Sequence, residues 1–222
     1  TQLIYVADAN NNRIVSTEID GSNWQTIGNT NYYYPSEGIH YDAASELVYV
    51  TDTSNHRIVR SKIDGSERED FGIPGSGVGQ FSSPRGIFYD STDLSVPTDP
   101  KTGMLYVTDT SNHRIVRTRW NGGSWVSFGA YGTGANQFVA PQGIDYSNPY
   151  LYITDAGNHR VVKTEWGGAN WQTCGSFGSG VGRFRFPVGV AYDSPSDFLY
   201  ITDSENHRVV KTKSDCNLAT WS

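Results

Sequence analysis

No apolar run in this 222-residue chain is long enough for a membrane-spanning helix, so membrane insertion is not expected. Clusters of lysine or arginine are missing too. With 17 Lys+Arg against 23 Asp+Glu and a net charge of −6, the basic footprint of a nucleic-acid binder is absent at the level of the whole chain. Cysteine is scarce, with two residues, Cys174 and Cys216. There is no Asn-x-Ser/Thr acceptor and no signal-like start, although a mature secreted chain would have lost a signal already. No segment shows the 3.6-residue periodicity that a long amphipathic helix needs.

What the chain does have is repetition. Tyr-Val-Thr-Asp-Thr-Ser-Asn-His-Arg-Ile-Val-Arg stands at 49–60 and again, unchanged, at 106–117, with degenerate copies beginning at Tyr5, Tyr152 and Tyr200. Units of about 45 residues point to a propeller or a solenoid. Each copy divides into four short extended segments, a to d. In the third copy these are 84–90, 104–109, 114–120 and 125–129. Segment b is almost wholly apolar in every copy (Leu3 to Val6, Leu47 to Val50, Leu151 to Ile153, Leu199 to Ile201), as befits a strand covered on both faces. Segment c alternates and carries one cation per copy at Arg60, Arg117, Lys163 and Lys211, which read as a solvated row spread round the ring. The expected fold is all-β: one domain, 1–222, forming a β-propeller of five four-stranded blades. Aromatic residues, 13% of the chain, supply the core that a 36% hydrophobic content otherwise leaves thin.

Asp-x-x-Asn-His-Arg after segment b, Gly-Ser-Gly-Val-Gly-Gln-Phe at 75–81 and Pro-x-Gly-Ile before segment a recur in the same order, and together they resemble the NHL-repeat family. Copy one departs from the pattern with Asn12 where the others have His56, His113, His159 and His207. The resemblance implies a propeller that usually has six blades. Copy one starts at segment b and so lacks an innermost strand. That leaves three possibilities: a fragment of a six-bladed ring, a five-bladed ring finished by something else, or a strand supplied in trans. The edge at Leu3 to Val6 is expected to be paired, and self-association through it is one way of doing so.

Most residues with chemical potential repeat in every copy. Histidines related by rotation about a ring do not converge on a point, as zinc ligation at about 2.0–2.1 Å requires, so they read as turn or inter-blade contacts. Asp8, Asp52, Asp109, Asp155 and Asp203 each precede an Arg by five residues and read as turn clamps, worth little where exposed and more where hydrogen-bonded and sheltered. The Asn between them (Asn11, Asn55, Asn112, Asn158, Asn206) is expected to take the left-handed conformation. The glycine-rich loops 75–79 and 178–182 lead into a strand and not a helix, which excludes a phosphate cradle. Cys174 reads as a small buried hydrophobe on segment d, and the strand directions argue against a bond to Cys216.

Function is sought where copies differ. The varied positions on segment a are Glu37, Arg85 and Gln142, then His40 and Asp145; the d–a loops add Tyr32, Tyr33, Tyr34, Arg183 and Arg185. These ten residues are the candidate site, a polar and aromatic rim suited to a protein, peptide or glycan. The expected function is a non-catalytic interaction or scaffold module, secreted or extracellular, that needs no cofactor. The alternative, from lyases and lactonase-type hydrolases built on related propellers, is a metal-dependent enzyme using the central channel, for which Glu37, His40 and Asp145 are the only inner-strand donors.

Overall fold

The computed structural model describes residues 3–11, 13–27, 36–92, 103–120, 122–215 and 220–222. The strands run in chain order. Copy one gives β1 (Leu3–Asp8), β2 (Arg13–Glu18) and β3 (Gln25–Ile27); copy two gives β4 (Ser36–Asp42), β5 (Leu47–Asp52), β6 (Arg57–Lys62) and β7 (Glu69–Phe71). After a short parallel pair, β8 (Ile73–Pro74) and β9 (Gln80–Phe81), copy three gives β10 (Pro84–Asp90), β11 (Met104–Asp109), β12 (Arg114–Arg119) and β13 (Val126–Phe128). A second parallel pair, β14 (Ala130–Tyr131) and β15 (Gln137–Phe138), leads to β16 (Pro141–Ser147), β17 (Tyr150–Asp155), β18 (Arg160–Glu165) and β19 (Gln172–Cys174). Copy five gives β20 (Pro187–Asp193), β21 (Phe198–Asp203) and β22 (Arg208–Lys213). Strand order within every sheet follows the chain, so each sheet of three or four strands is a meander. Sheets one and five have three strands among the described residues, and Ser222 takes the place of a fourth strand in sheet five by bonding Lys211 in both directions.

The chain divides into two compact units, 1–107 with 117–125 and 108–116 with 126–222. In the first, β5 is buried at all six positions, as its apolar run requires. Tyr49 stacks on Tyr89 of the following copy with ring centroids 4.2 Å apart, and Tyr5 packs on Tyr41 at 4.5 Å. In the second, Tyr152 stacks on Tyr192 at 4.6 Å and sits in a cluster with Val161, Cys174, Phe184, Leu199, Ile201 and Val210. Each fully buried side chain of this size contributes about 1.5–3 kcal/mol relative to exposure.

The glycine of Pro-x-Gly is explained by the closeness of successive copies. A Cβ on Gly38 would lie 2.0 Å from the carbonyl oxygen of Arg85, and one on Gly143 would lie 2.4 Å from that of Val188. Between them stands a strand-b threonine. Thr51 Oγ1 accepts the Gly38 N–H at 2.8 Å and donates to the Arg85 carbonyl at 2.7 Å; Thr154 does the same between Gly143 and Val188, at 2.7 Å each way.

Three expectations need correction. Asn is not the left-handed residue of the b–c turn: Asn55, Asn112, Asn158 and Asn206 each end a short 3-10 turn, and His56, His113, His159 and His207 take φ of 54–57°. The aspartate clamps are the sheltered kind, since the side chains of Asp52, Asp109, Asp155 and Asp203 are fully buried. The strand-c cations are not uniformly solvated: Arg117, Lys163 and Lys211 are half-buried, and Arg60 more so. Arg60 is buried, its guanidinium 4.4 Å from the Trp120 ring and 2.8 Å from Glu69, because the next copy's aromatic covers it. Cys174 is disulfide-bonded. It packs with Leu199, Ile201 and Val210 of the fifth sheet, so the strand directions of its own sheet do not restrict its reach. The chain's other cysteine, Cys216, lies outside the described residues.

Candidate binding surface

The Asp-x-x-Asn-His-Arg motif is consumed in building the fold. In copy four, Asp155 Oδ2 accepts from Asn158 Nδ2 at 2.8 Å and from Arg160 Nε at 2.7 Å, while Oδ1 accepts the Val139 N–H at 2.7 Å. Burial pushes the Asp155 carboxyl up, against those donors. Arg160 spends its remaining donors on the carbonyls of Thr133, Gly134 and Gln137, and Asn158 also reaches the Gly132 carbonyl at 2.9 Å. Arg208 and Asn206 repeat this on the carbonyls of Ser179, Gly180, Arg183 and Gly178. The glycine loops therefore present their carbonyls to cations, the reverse of a phosphate cradle. The histidines accept backbone N–H groups at Nδ1: His56 from Ser83, His113 from Ala140 and His159 from Phe186, at 2.9–3.1 Å.

The candidate residues fall into separate groups. In the first unit Glu37 forms an ion pair with Arg85 of the next copy. Burial pushes the Glu37 carboxyl up, and Arg85 opposes that shift. His40 lies edge-on to Phe88 with ring centroids 4.6 Å apart, and burial lowers its pKa to about 4 against a smaller upward pull from Asp42 and Asp90. In the second unit Gln142 is buried. Asp145 accepts the N–H groups of Tyr192 and Tyr146 at 2.7 and 2.8 Å, with its carboxyl raised by burial. Arg183 and Arg185 are exposed. Tyr32, Tyr33 and Tyr34 lie outside the described residues. Among the described residues no three His, Cys, Asp or Glu side chains are grouped to hold a metal ion, and no helix is long and apolar enough to cross a membrane.

The d–a loop aromatics divide into two sets. Phe81, Phe138 and Phe184 are fully buried core residues. Tyr131 and Phe177, which sequence reasoning did not single out, are 70% and 56% exposed. Each precedes its glycine loop and packs on a histidine of the preceding copy, Tyr131 on His113 at 5.0 Å and Phe177 on His159 at 4.9 Å. The Arg185 guanidinium lies 5.1 Å from the Phe177 ring. The signal in the sequence was their place before the glycine loop, where the loop leading into copy three has Pro74.

Residues 184–211 match the NHL repeat. The solved nidogen/laminin complex contains a chain similar to this one with a TM-score of 0.72 at 22% identity, over 95% of this chain and 71% of that one. The solved streptogramin B lyase is similar with a TM-score of 0.64 at 13% identity, over 96% of this chain and 62% of that one. No curated protein matches the chain. At these identities the likeness establishes the fold, five antiparallel sheets as the blades of a propeller, and leaves the chemistry to this chain's own residues.

Proposed function

We propose, from the premise that the chain is an NHL-repeat β-propeller, that it is a non-catalytic binding module whose d–a loop face takes an extended, carboxylate-bearing segment of a partner protein. The observation that carries this reading is the exposed pairing of Phe177 with Arg185 beside His159, with Tyr131 over His113 on the preceding loop. A ring held rigid from behind loses little entropy when a partner covers it, and an exposed guanidinium beside it takes a carboxylate bidentately. The inner-strand donors do not favour metal chemistry. Glu37 is engaged by Arg85, Asp145 by two backbone N–H groups, and His40 is held neutral by burial.

An extracellular setting accords with the disulfide at Cys174, since such bonds persist in oxidising compartments. Selection of a displayed random-peptide library on the intact chain tests the binding reading. The expected winners carry Asp or Glu and lose at least tenfold in affinity on a Tyr131→Ala, Phe177→Ala, Arg185→Ala variant that unfolds at an unchanged temperature. Peptides that bind this variant equally well would overturn the choice of surface, and binding confined to a glycan array would replace the protein segment with a carbohydrate.

A further inference from the structure

Positions that are buried in one copy are exposed in another, at Leu3, Ile4 and Val6 of β1 and along one face of sheet five. Tyr49 and Tyr152 are 0–1% exposed, whereas Tyr200, at the same place on β21, is 37% exposed. Ile58 and Val161 are likewise covered, whereas their counterpart Val209 on β22 is 61% exposed. Thr51 and Thr154 are buried between two copies, whereas Thr202 accepts the Gly189 N–H at 2.6 Å and is exposed. Beside Val209 a recess of about 110 Å³ is lined by Val181, Arg208, Val210 and Trp221. The Trp221 indole N–H is buried there without a partner.

Three internal junctions show what this face is shaped to receive. At each, a strand of the pattern Gly-aliphatic-x-Tyr lies against the strand-b Thr and the turn His of the preceding copy, and stacking of the strand's Tyr on the strand-b Tyr marks the first and the third. From copy two to copy three the contacts are Tyr89 on Tyr49, Thr51 to the Arg85 carbonyl and the Ser83 N–H to His56. From copy three to copy four they include Thr108 to the Gln142 carbonyl at 2.6 Å and the Ala140 N–H to His113. From copy four to copy five they are Tyr192 on Tyr152, Thr154 to the Val188 carbonyl and the Phe186 N–H to His159. Sheet five presents Tyr200, Thr202 and His207 in the same order. We propose that this face docks a partner polypeptide strand of the pattern Gly-aliphatic-x-Tyr, led in by a residue in the left-handed conformation. The partner's tyrosine stacks on Tyr200, a carbonyl accepts from Thr202, and an N–H donates to His207.

Among its described residues, a second copy of this chain does not supply such a strand. Its strands β4, β10, β16 and β20 each already lie against a preceding copy, through Tyr5 on Tyr41, Thr51 on Arg85, Thr108 on Gln142 and Thr154 on Val188. The other exposed apolar strand, β1 with Leu3, Ile4 and Val6, lacks the pattern's glycine and so the close approach that Gly38 and Gly143 allow.

The probe is a synthetic peptide with the sequence of residues 82–90, Ser-Ser-Pro-Arg-Gly-Ile-Phe-Tyr-Asp, added to the isotope-labelled intact chain. The expected result is saturable amide shifts at Tyr200, Thr202, His207 and Val209, lost with a scrambled peptide and weakened at least tenfold by Val209→Asp. Because Val209 is exposed, that variant keeps its unfolding temperature. Shifts centred on Leu3 to Val6, no shifts at millimolar peptide, or peptide-free dimerisation abolished by Val209→Asp would each overturn the proposal.

Discussion

His159 Nδ1 accepts the backbone N–H of Phe186, 27 residues further along the chain, at 3.1 Å, and both residues have positive φ. Two left-handed residues from successive copies thus hold each other in place. The bond recurs between His113 and Ala140 and between His56 and Ser83. It accounts for a histidine, and not simply a glycine or asparagine, at a position where the backbone alone would favour either.

Replacing His113 by Ala removes the acceptor for Ala140 and is expected to cost about 1–2 kcal/mol, the worth of one partly sheltered hydrogen bond. His113→Asn should cost less, since Asn tolerates the left-handed region better than Ala does. Urea denaturation of the two variants checks the order, and an Asn variant as unstable as the Ala variant would place the effect in the lost bond alone.

Asp155 is a different case, because it is fully buried and accepts from a backbone N–H, an Asn and an Arg. Asp155→Ala leaves Arg160 Nε and the Val139 N–H without their acceptor and removes the buried countercharge of Arg160, and is expected to cost about 3–5 kcal/mol. The same change at Asp8, whose partly exposed carboxylate bonds Arg13 and Asn11, should cost distinctly less. Equal losses at the two sites in chemical denaturation would show that burial is not what sets the cost.

Strand limits were legible because apolar runs and turn residues recur. The segments expected at 84–90 and 104–109 are β10 and β11 to the residue. What escaped sequence reading depends on partners that the local pattern does not name. Asn158 has the residue type that favours the left-handed region, yet Asp155 draws its side chain into the 3-10 turn, which leaves His159 to take positive φ. Arg60 reads as solvated until Trp120 of the next copy is seen over it. Within the candidate surface, Arg183 and Arg185 are exposed as a binding rim requires, whereas Gln142 is buried. Tyr131 and Phe177 look like core aromatics beside Phe138 and Phe184, and only the fold separates the exposed pair from the buried one.

His40 makes stability depend on pH. Burial lowers its folded-state pKa to about 4, below the ordinary value of 6.5. The unfolded chain therefore binds the proton more readily. The stabilisation due to neutral His40 is complete above pH 6.5 and is lost as pH falls towards 4, at about 1.4 kcal/mol for each pH unit in that window. Glu37, Asp145 and Asp155, with raised folded-state pKa values, act in the opposite sense: they favour folding at low pH and oppose it as pH rises through those values. His40→Phe, which copies Phe88 at the equivalent place, isolates the histidine. The difference in stability between this variant and the parent should change between pH 6.5 and 4 and be flat above about 7, and a difference independent of pH would remove His40 from the account.

The buried cation at Arg60 gives the last test. Its guanidinium lies over Trp120 and bonds Glu69, and the Trp120 indole N–H donates to the same Glu69 at 2.7 Å, so the three side chains form one closed set. Members of such a set do not contribute independently. Arg60→Ala and Trp120→Phe should each destabilise, and the double variant should lose less than the sum by about 1–2 kcal/mol, the range of a desolvated cation over an aromatic face together with a shared acceptor. Arg60→Lys should recover only part of the loss, because an ammonium cannot both lie flat on the indole and reach the carboxylate with a planar fork. Additive losses in the cycle would mean that Trp120 packs against Tyr49 and Phe71 without any help from the charge.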